Sequence, residues 1–209
     1  MGRARVSEEE RRQQIVRAAR RLIVRHGYSH TTLAQVAAEV GVSKGLVSYY
    51  FAKKDALFLA VLDSMLSRLR DDLDAVYRRD LPAWERLKLN LKNLFGSEKR
   101  TKQYYGLLIE FLAEAPREKE ISEYTRVIYQ THLTYIERTI DDGITAGEFA
   151  SVDAGAEGSM LVALMEGMIL QWMYAGESRS FIDAYHTCET VAACRLMPGG
   201  SPPQPLAER

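Results

Sequence analysis

The sequence predicts an all-α protein, and two observations carry that prediction. Apolar residues recur at i, i+3, i+4 and i+7 along almost the whole 209-residue chain, the spacing of one buried helical face. No stretch of useful length alternates apolar and polar residues as a half-buried strand does. Capping residues, glycines and prolines divide the helical pattern into about nine segments. Three helices form a head at the N-terminus, and a larger helical body follows.

Ser7 and Glu10 make a capping box ahead of Ile15, Ala18, Ala19, Leu22 and Ile23, and Gly27 closes this first helix. Thr32 and Gln35 repeat the box and open a second helix with the apolar face Leu33, Val36, Ala37 and Val40. Gly41 supplies the positive φ of a tight turn. Ser43 is then the N-cap of a third helix, in which Val47, Tyr50 and the following Phe51 return to the core. A small residue at Ala37, a glycine four later and an apolar residue six beyond that follow helix-turn-helix spacing.

Lys54-Asp55 opens a long helix through Leu57, Leu62, Leu66 and Leu69 that fades near Arg79 and breaks at Pro82. Further helices are expected over about Ala83–Phe95 and Thr101–Ala115, the latter closed by Pro116. Glu118–Asp142 carries Ile121, Tyr124, Val127, Ile128, Tyr135, Ile136 and Ile140 on one face, with Gly143 and Gly147 bracketing its end. Asp153 caps a helix to about Tyr174 that is apolar on nearly every face and must be covered on all sides. A last helix runs over about Ser180–Leu196, and the tail PGGSPPQPLAER, with four of the six prolines, is expected to be disordered. The boundaries that follow are 1–54 for an arm and helix-turn-helix domain, 55–197 for the helical body, and 198–209 for the tail.

Formal net charge is zero, but residues 1–54 carry +7 and the remainder −7. A basic head on an acidic body suits a phosphate-binding module joined to a regulatory domain. Cys188 and Cys194 lie six apart on one predicted helix, which suggests neither a disulfide nor a CxxC metal site and fits a cytoplasmic setting. The start GRARVSEEE has no signal-peptide core. The longest apolar run, Met160–Leu170, is interrupted by Glu166 and is shorter than the ~20 residues that span a bilayer. No nucleophile elbow, metal-spaced His/Cys cluster or glycine-rich phosphate loop is present, and His26, His30, His132 and His186 are scattered. An enzyme, a cofactor and a metal are therefore not expected.

The segments AAR, LIVRHGY, TTLAQVAAEVGVSKG, SYYF and KKDALF occur in this order over about residues 11–62. In that order and spacing they resemble the TetR family of transcriptional regulators. Ser48-Tyr49-Tyr50-Phe51 and GITAGEFASVDAGAEGSMLVALMEGMILQ are similar to the branch of the choline-sensing betaine regulators. The resemblance implies a homodimeric, ligand-responsive repressor with a double-stranded DNA operator. A DNA-binding regulator without a small-molecule effector, controlled by a partner or acting architecturally, is the alternative.

The recognition helix would be Ser43–Tyr50. Lys44, Gly45, Leu46, Ser48 and Tyr49 fall away from the core residues and would face the major groove. Lys44 would reach a guanine edge or phosphate, Gly45 would allow close backbone approach, and Leu46 would meet a thymine methyl. Ser48 would pair with a base edge or phosphate, and Tyr49 with a phosphate. Thr32 and Lys54 sit at helix N-termini, where N–H groups attract phosphate, and the resemblance points to the same two positions. Arg3, Arg5 and Arg11 are expected in a flexible arm, whereas Arg17, Arg20, Arg21 and Arg25 read as a solvated face.

Two heads about one DNA turn apart imply a two-fold dimer on a near-palindromic operator. The expected dimer surface is the last two helices, about 155–196, as half of a four-helix bundle, with Ala156, Gly158, Ser159, Ala163 and Gly167 allowing close approach. Candidates to line an effector cavity are Tyr104, Leu108 and Phe111 on one helix, Tyr124, Ile128, Thr131, His132 and Tyr135 on the next, and Met165, Met168 and Trp172 on a third. Aromatic or Met stripes at helical spacing are usually plain core. The lining favours a hydrophobic or amphipathic effector. A quaternary amine is the runner-up, held by the aromatic rings with Glu110, Glu114 or Glu166.

Overall fold

The computed structural model describes residues 7–175 and 180–199. Among the described residues it holds nine α-helices: α1 Glu8–His26, α2 Leu33–Val40, α3 Lys44–Tyr50, α4 Lys54–Tyr77, α5 Ala83–Phe95, α6 Glu98–Glu114, α7 Lys119–Thr145, α8 Ala154–Tyr174 and α9 Phe181–Leu196. Arg3, Arg5 and the tail from 200 onward lie outside the described residues. The chain forms two compact units. One comprises the described residues up to Leu69 with Gln103–Val127, and the other Arg70–Lys102 with the residues from Ile128. Helices α4, α6 and α7 therefore give residues to both.

In the first unit the caps lie where the local sequence places them. Ser7 Oγ accepts the Glu10 N–H at 3.1 Å, and Glu10 returns the bond to the Ser7 N–H at 2.8 Å. Glu8, Glu9 and Glu10 oppose the positive end of the α1 dipole. Arg11 belongs to α1, not to an arm, and its guanidinium donates to Gln14 at 2.8 Å. Gly41 takes the left-handed conformation at φ 74° that the α2–α3 turn requires. Val36, Ala37, Val47 and Phe51 are buried with the Ile15–Ile23 face of α1. Leu57, Phe58, Val61 and Leu62 of α4 complete this core.

In the second unit α8 and α9 pack against each other, and α5 lies on α9. Phe95 of α5 meets Phe181 and Tyr185 of α9 with ring centroids 5.5 and 5.6 Å apart. Small residues, Ala184, Cys188, Ala192 and Ala193, form the buried face of α9, which lets α8 approach closely. Glu157 of α8 is buried and accepts both Arg195 Nε, at 3.1 Å, and Arg195 Nη2, a bidentate pair that fixes the register of the two helices. Gly143, expected to bracket the end of α7, lies inside the helix, which continues to Thr145. Gly147, at φ 73°, follows that end.

Helix α5 begins behind Pro82, which offers no side-chain acceptor. Glu148 supplies one from far along the chain, accepting the N–H groups of Ala83 and Trp84 at 3.0 and 3.2 Å. Glu148→Ala should therefore lower unfolding stability by about 1–2 kcal/mol. The loss is read as a drop in urea midpoint at constant m-value, and an unchanged midpoint would mean that solvent caps α5 equally well.

Candidate nucleic-acid interface and effector core

The α2–α3 turn positions the candidate reading surface. Val47 is fully buried while Tyr49, two residues on, is 73 % exposed. Lys44 and Gly45 are also exposed, and Leu46 and Ser48 are half-buried at the edge of the same face. Ser43 Oγ accepts the Leu46 N–H at 3.2 Å, which leaves its own hydroxyl hydrogen to donate outward. A Cβ on Gly45 would meet nothing nearer than Ser43 Oγ at 3.9 Å. Folding therefore does not require glycine there, and the missing side chain leaves the helix surface open. Tyr49 stands edge-on to Tyr50 at 5.3 Å.

Thr32 is exposed, and both its N–H and its hydroxyl donate to Gln35 Oε1, at 2.8 and 3.0 Å. A phosphate oxygen at this helix N-terminus would take the place of that carboxamide oxygen. Lys54 lies with its ammonium 4.0 Å from the Tyr28 ring centroid and donates to the Ser29 carbonyl at 3.2 Å. Burial holds its pKa below the usual lysine value. Thr32 and Lys54 line one shallow depression with Tyr28, Thr31 and Phe58. The structure thus brings together the two residues selected for phosphate.

Sequence reasoning missed the network behind Lys54. The Tyr28 hydroxyl donates to Asp55 at 2.5 Å, and the Tyr28 N–H donates to Glu110 of α6 at 2.8 Å. Glu110, considered from sequence as a partner for a cationic effector, is instead bonded to backbone 82 positions away. No local pattern signals such a pairing.

The effector candidates divide between the units. In the first, Leu108 and Phe111 are buried, Tyr104 and Tyr124 half-buried, and Phe111 is committed to Phe58 at 4.2 Å. In the second, Ile128, His132, Met165 and Trp172 are buried, while Thr131, Tyr135 and Met168 are half-buried. Burial pushes His132 down to about 4, so it is neutral near pH 7. The Tyr135 hydroxyl donates to Asp74. Trp172 already carries a cation, because the Lys102 ammonium sits 4.9 Å from its ring, and Phe181 packs on it at 4.5 Å. Glu166 is half-buried, and burial raises its carboxyl to about 7 against the opposing hydrogen bond from Tyr129. Tyr129, which the sequence did not single out, is itself pushed up to about 12.

A capped helix-turn-helix on an all-helical body defines a class, the TetR-type transcriptional regulators. The model of the bacterial regulatory proteins of the tetR family matches residues 15–61. The model of the BetI-type transcriptional repressor C-terminal domain matches residues 83–194, more than half of the chain, and the protein belongs to that family. The regulator BetI of Rhizobium meliloti is 31 % identical over 126 residues, which cover 60 % of this chain and 62 % of that one, less than two thirds of its length. BetI of Brucella anthropi is 26 % identical over 190 residues, 91 % of this chain and 95 % of the relative. Among solved structures, a transcriptional regulator from Saccharomonospora viridis in complex with choline matches with a TM-score of 0.86 at 22 % identity, covering 91 % of this chain and all of that one. A TetR regulator from Haloarcula marismortui matches with a TM-score of 0.81 at 26 % identity, over 90 % of this chain and 100 % of the other. The resemblance read from the recognition helix and from the Gly143–Gln171 stretch is borne out. No described helix is long and apolar enough to cross a membrane.

Proposed function

We propose that this protein is a cytoplasmic, non-enzymatic repressor that binds a near-palindromic operator as a homodimer and is released by a small effector. Residues 1–54 form the DNA-binding domain and 55–197 the effector-binding and dimerisation body. The observation that carries the reading is the two-sided α3. Val47 is fully buried, while Lys44, Gly45 and Tyr49 face solvent, which is what a helix needs in order to enter a major groove. Ser43, Leu46 and Ser48 flank that face, and Thr32 and Lys54 are the phosphate contacts.

The dimer surface is α8 with α9. Leu170, Tyr174 and Ile182 are 37, 73 and 63 % exposed in the single chain, and the exposed small residues Ala156, Ser159 and Ala163 lie along the same helix pair. Covering that surface with the same helices of a second chain meets the demand of an α8 apolar on nearly every face. The effector meets Ile128, Thr131, His132, Tyr135, Met165 and Met168, with Tyr129 and Glu166 as its polar contacts. Choline, the ligand of the Saccharomonospora structure, is the first compound to test. Effector binding lowers operator affinity by the coupling energy, typically ~1–3 kcal/mol.

The test is titration of the purified protein against DNA from upstream of its own gene at fixed salt. Two chains should saturate one site, and Lys44→Ala or Tyr49→Ala should each weaken binding by roughly tenfold. Binding that is sequence-blind and lost uniformly with salt would assign the protein an architectural role instead.

A further inference from the structure

We propose that Glu110 of α6 is a positioning residue for the DNA contact of Lys54, an inference that rests on the reading of Lys54 as a phosphate ligand. Two sets of contacts tie α6 to Tyr28, which in turn meets Lys54. Glu110 Oε2 accepts the Tyr28 N–H at 2.8 Å. A Cβ on Gly27 would lie 3.4 Å from that carboxylate, and Gly27 has φ +82°. The positive φ calls for glycine at this position, where α1 ends, and places that end of the helix against the α6 carboxylate. The next residue of α6, Phe111, stacks on Phe58 at 4.2 Å, and Phe58 stacks on the Tyr28 ring at 3.7 Å. Consecutive residues of α6 therefore hold the backbone and the ring of one loop residue.

That loop residue, in turn, holds the start of α4. The Tyr28 ring lies under the Lys54 ammonium at 4.0 Å, the Ser29 carbonyl accepts one of its three N–H donors at 3.2 Å, and the Tyr28 hydroxyl holds Asp55 at 2.5 Å. At most two ammonium donors then remain for a phosphate. A lysine held in this way loses less rotamer freedom on binding than a free one. The carboxylate also sits beside the C-terminal end of α1, where the helix dipole opposes a negative charge. Its placement is thus poorly explained as a device for stabilising α1 and well explained as a link from α6 to Lys54.

A double-mutant cycle on the full chain with operator DNA tests this. Lys54→Ala should weaken binding roughly tenfold and lower the salt slope by about one phosphate contact. Glu110→Ala should weaken it roughly fivefold, and in the Lys54→Ala background it should add nothing. Glu110→Gln, which keeps the acceptor oxygen, should restore affinity to within about twofold of the native chain. Independent, additive losses would overturn the proposal, as would native affinity in a folded Glu110→Ala chain. Where Glu110→Ala does not fold, Glu110→Asp, whose carboxylate is withdrawn by one methylene, takes its place in the same cycle and is judged by the same additivity. Absence of saturable binding by the native chain would instead overturn the DNA-binding reading. Equal binding by native and Lys54→Ala chains would overturn both the phosphate role of Lys54 and the role given to Glu110.

Discussion

Gly143→Ala is expected to destabilise the protein by about 3 kcal/mol or more, although glycine to alanine inside a helix ordinarily gains about 1 kcal/mol. A Cβ at 143 would lie 2.2 Å from Phe149 Cδ2 and 2.5 Å from Cε2. The ring cannot easily withdraw, because Phe149 is 4 % exposed and its N–H is bonded to the Gly143 carbonyl at 3.1 Å. The Glu148 N–H shares that carbonyl at 2.8 Å, so movement of the turn would also disturb the carboxylate that caps α5. Urea unfolding decides the sign. The double variant Gly143→Ala/Phe149→Ala should be no less stable than Phe149→Ala alone, which by itself should cost about 3–5 kcal/mol. A stabilised Gly143→Ala chain would show that Phe149 does not pack over α7 in this way.

Gly143 also marks where sequence reasoning stops. Glycine signals a helix end and a buried close approach equally, and only the position of Phe149 distinguishes them. The caps were legible because a capping box is complete within four residues: Ser7 with Glu10, and Thr32 with Gln35, form the bonds their spacing implies. The division of α3 into a core side and a solvent side was legible from the same short range. Glu148 and Glu110 were not, since each acts on backbone more than 60 positions away. An acidic residue bound for such a partner looks like any other surface acid. Trp172 shows the same limit from the other direction. Its sequence context suggested an aromatic face for an effector cation and gave no sign that Lys102, remote in sequence, holds its ammonium 4.9 Å from that ring. Glu166 was conspicuous, because a carboxylate inside an apolar helix needs a partner. Tyr129 could not be identified as that partner until α7 and α8 were placed.

The Kd for a quaternary ammonium effector is expected to fall roughly tenfold for each pH unit up to about 7 and then to level off. The carboxyl of Glu166 is raised from 4.5 to about 7 by burial, with the Tyr129 hydrogen bond opposing, so below about 7 the empty protein holds a proton there. A cation beside Glu166 favours the ionised form, and the proton must leave as the effector enters. Linkage fixes the sign for stability as well. Between 4.5 and about 7 the folded chain binds this proton and the unfolded chain does not. The contribution of Glu166 to stability is therefore fully present below 4.5 and is lost as pH rises toward 7, in the absence of effector. His132, at about 4, stays neutral across the range used, and Tyr129, at about 12, keeps its proton. Neither supplies a competing titration. Calorimetric titration with choline between about pH 5.5 and 8.5, in buffers of different ionisation enthalpy, would show one proton released per site at the acid end and none at the alkaline end. Glu166→Gln should flatten the profile, leaving an affinity independent of pH and close to that of the native protein at low pH. A native profile that is already flat, or one unchanged by Glu166→Gln, would remove Glu166 from the effector site and leave its raised pKa as the consequence of packing between α7 and α8.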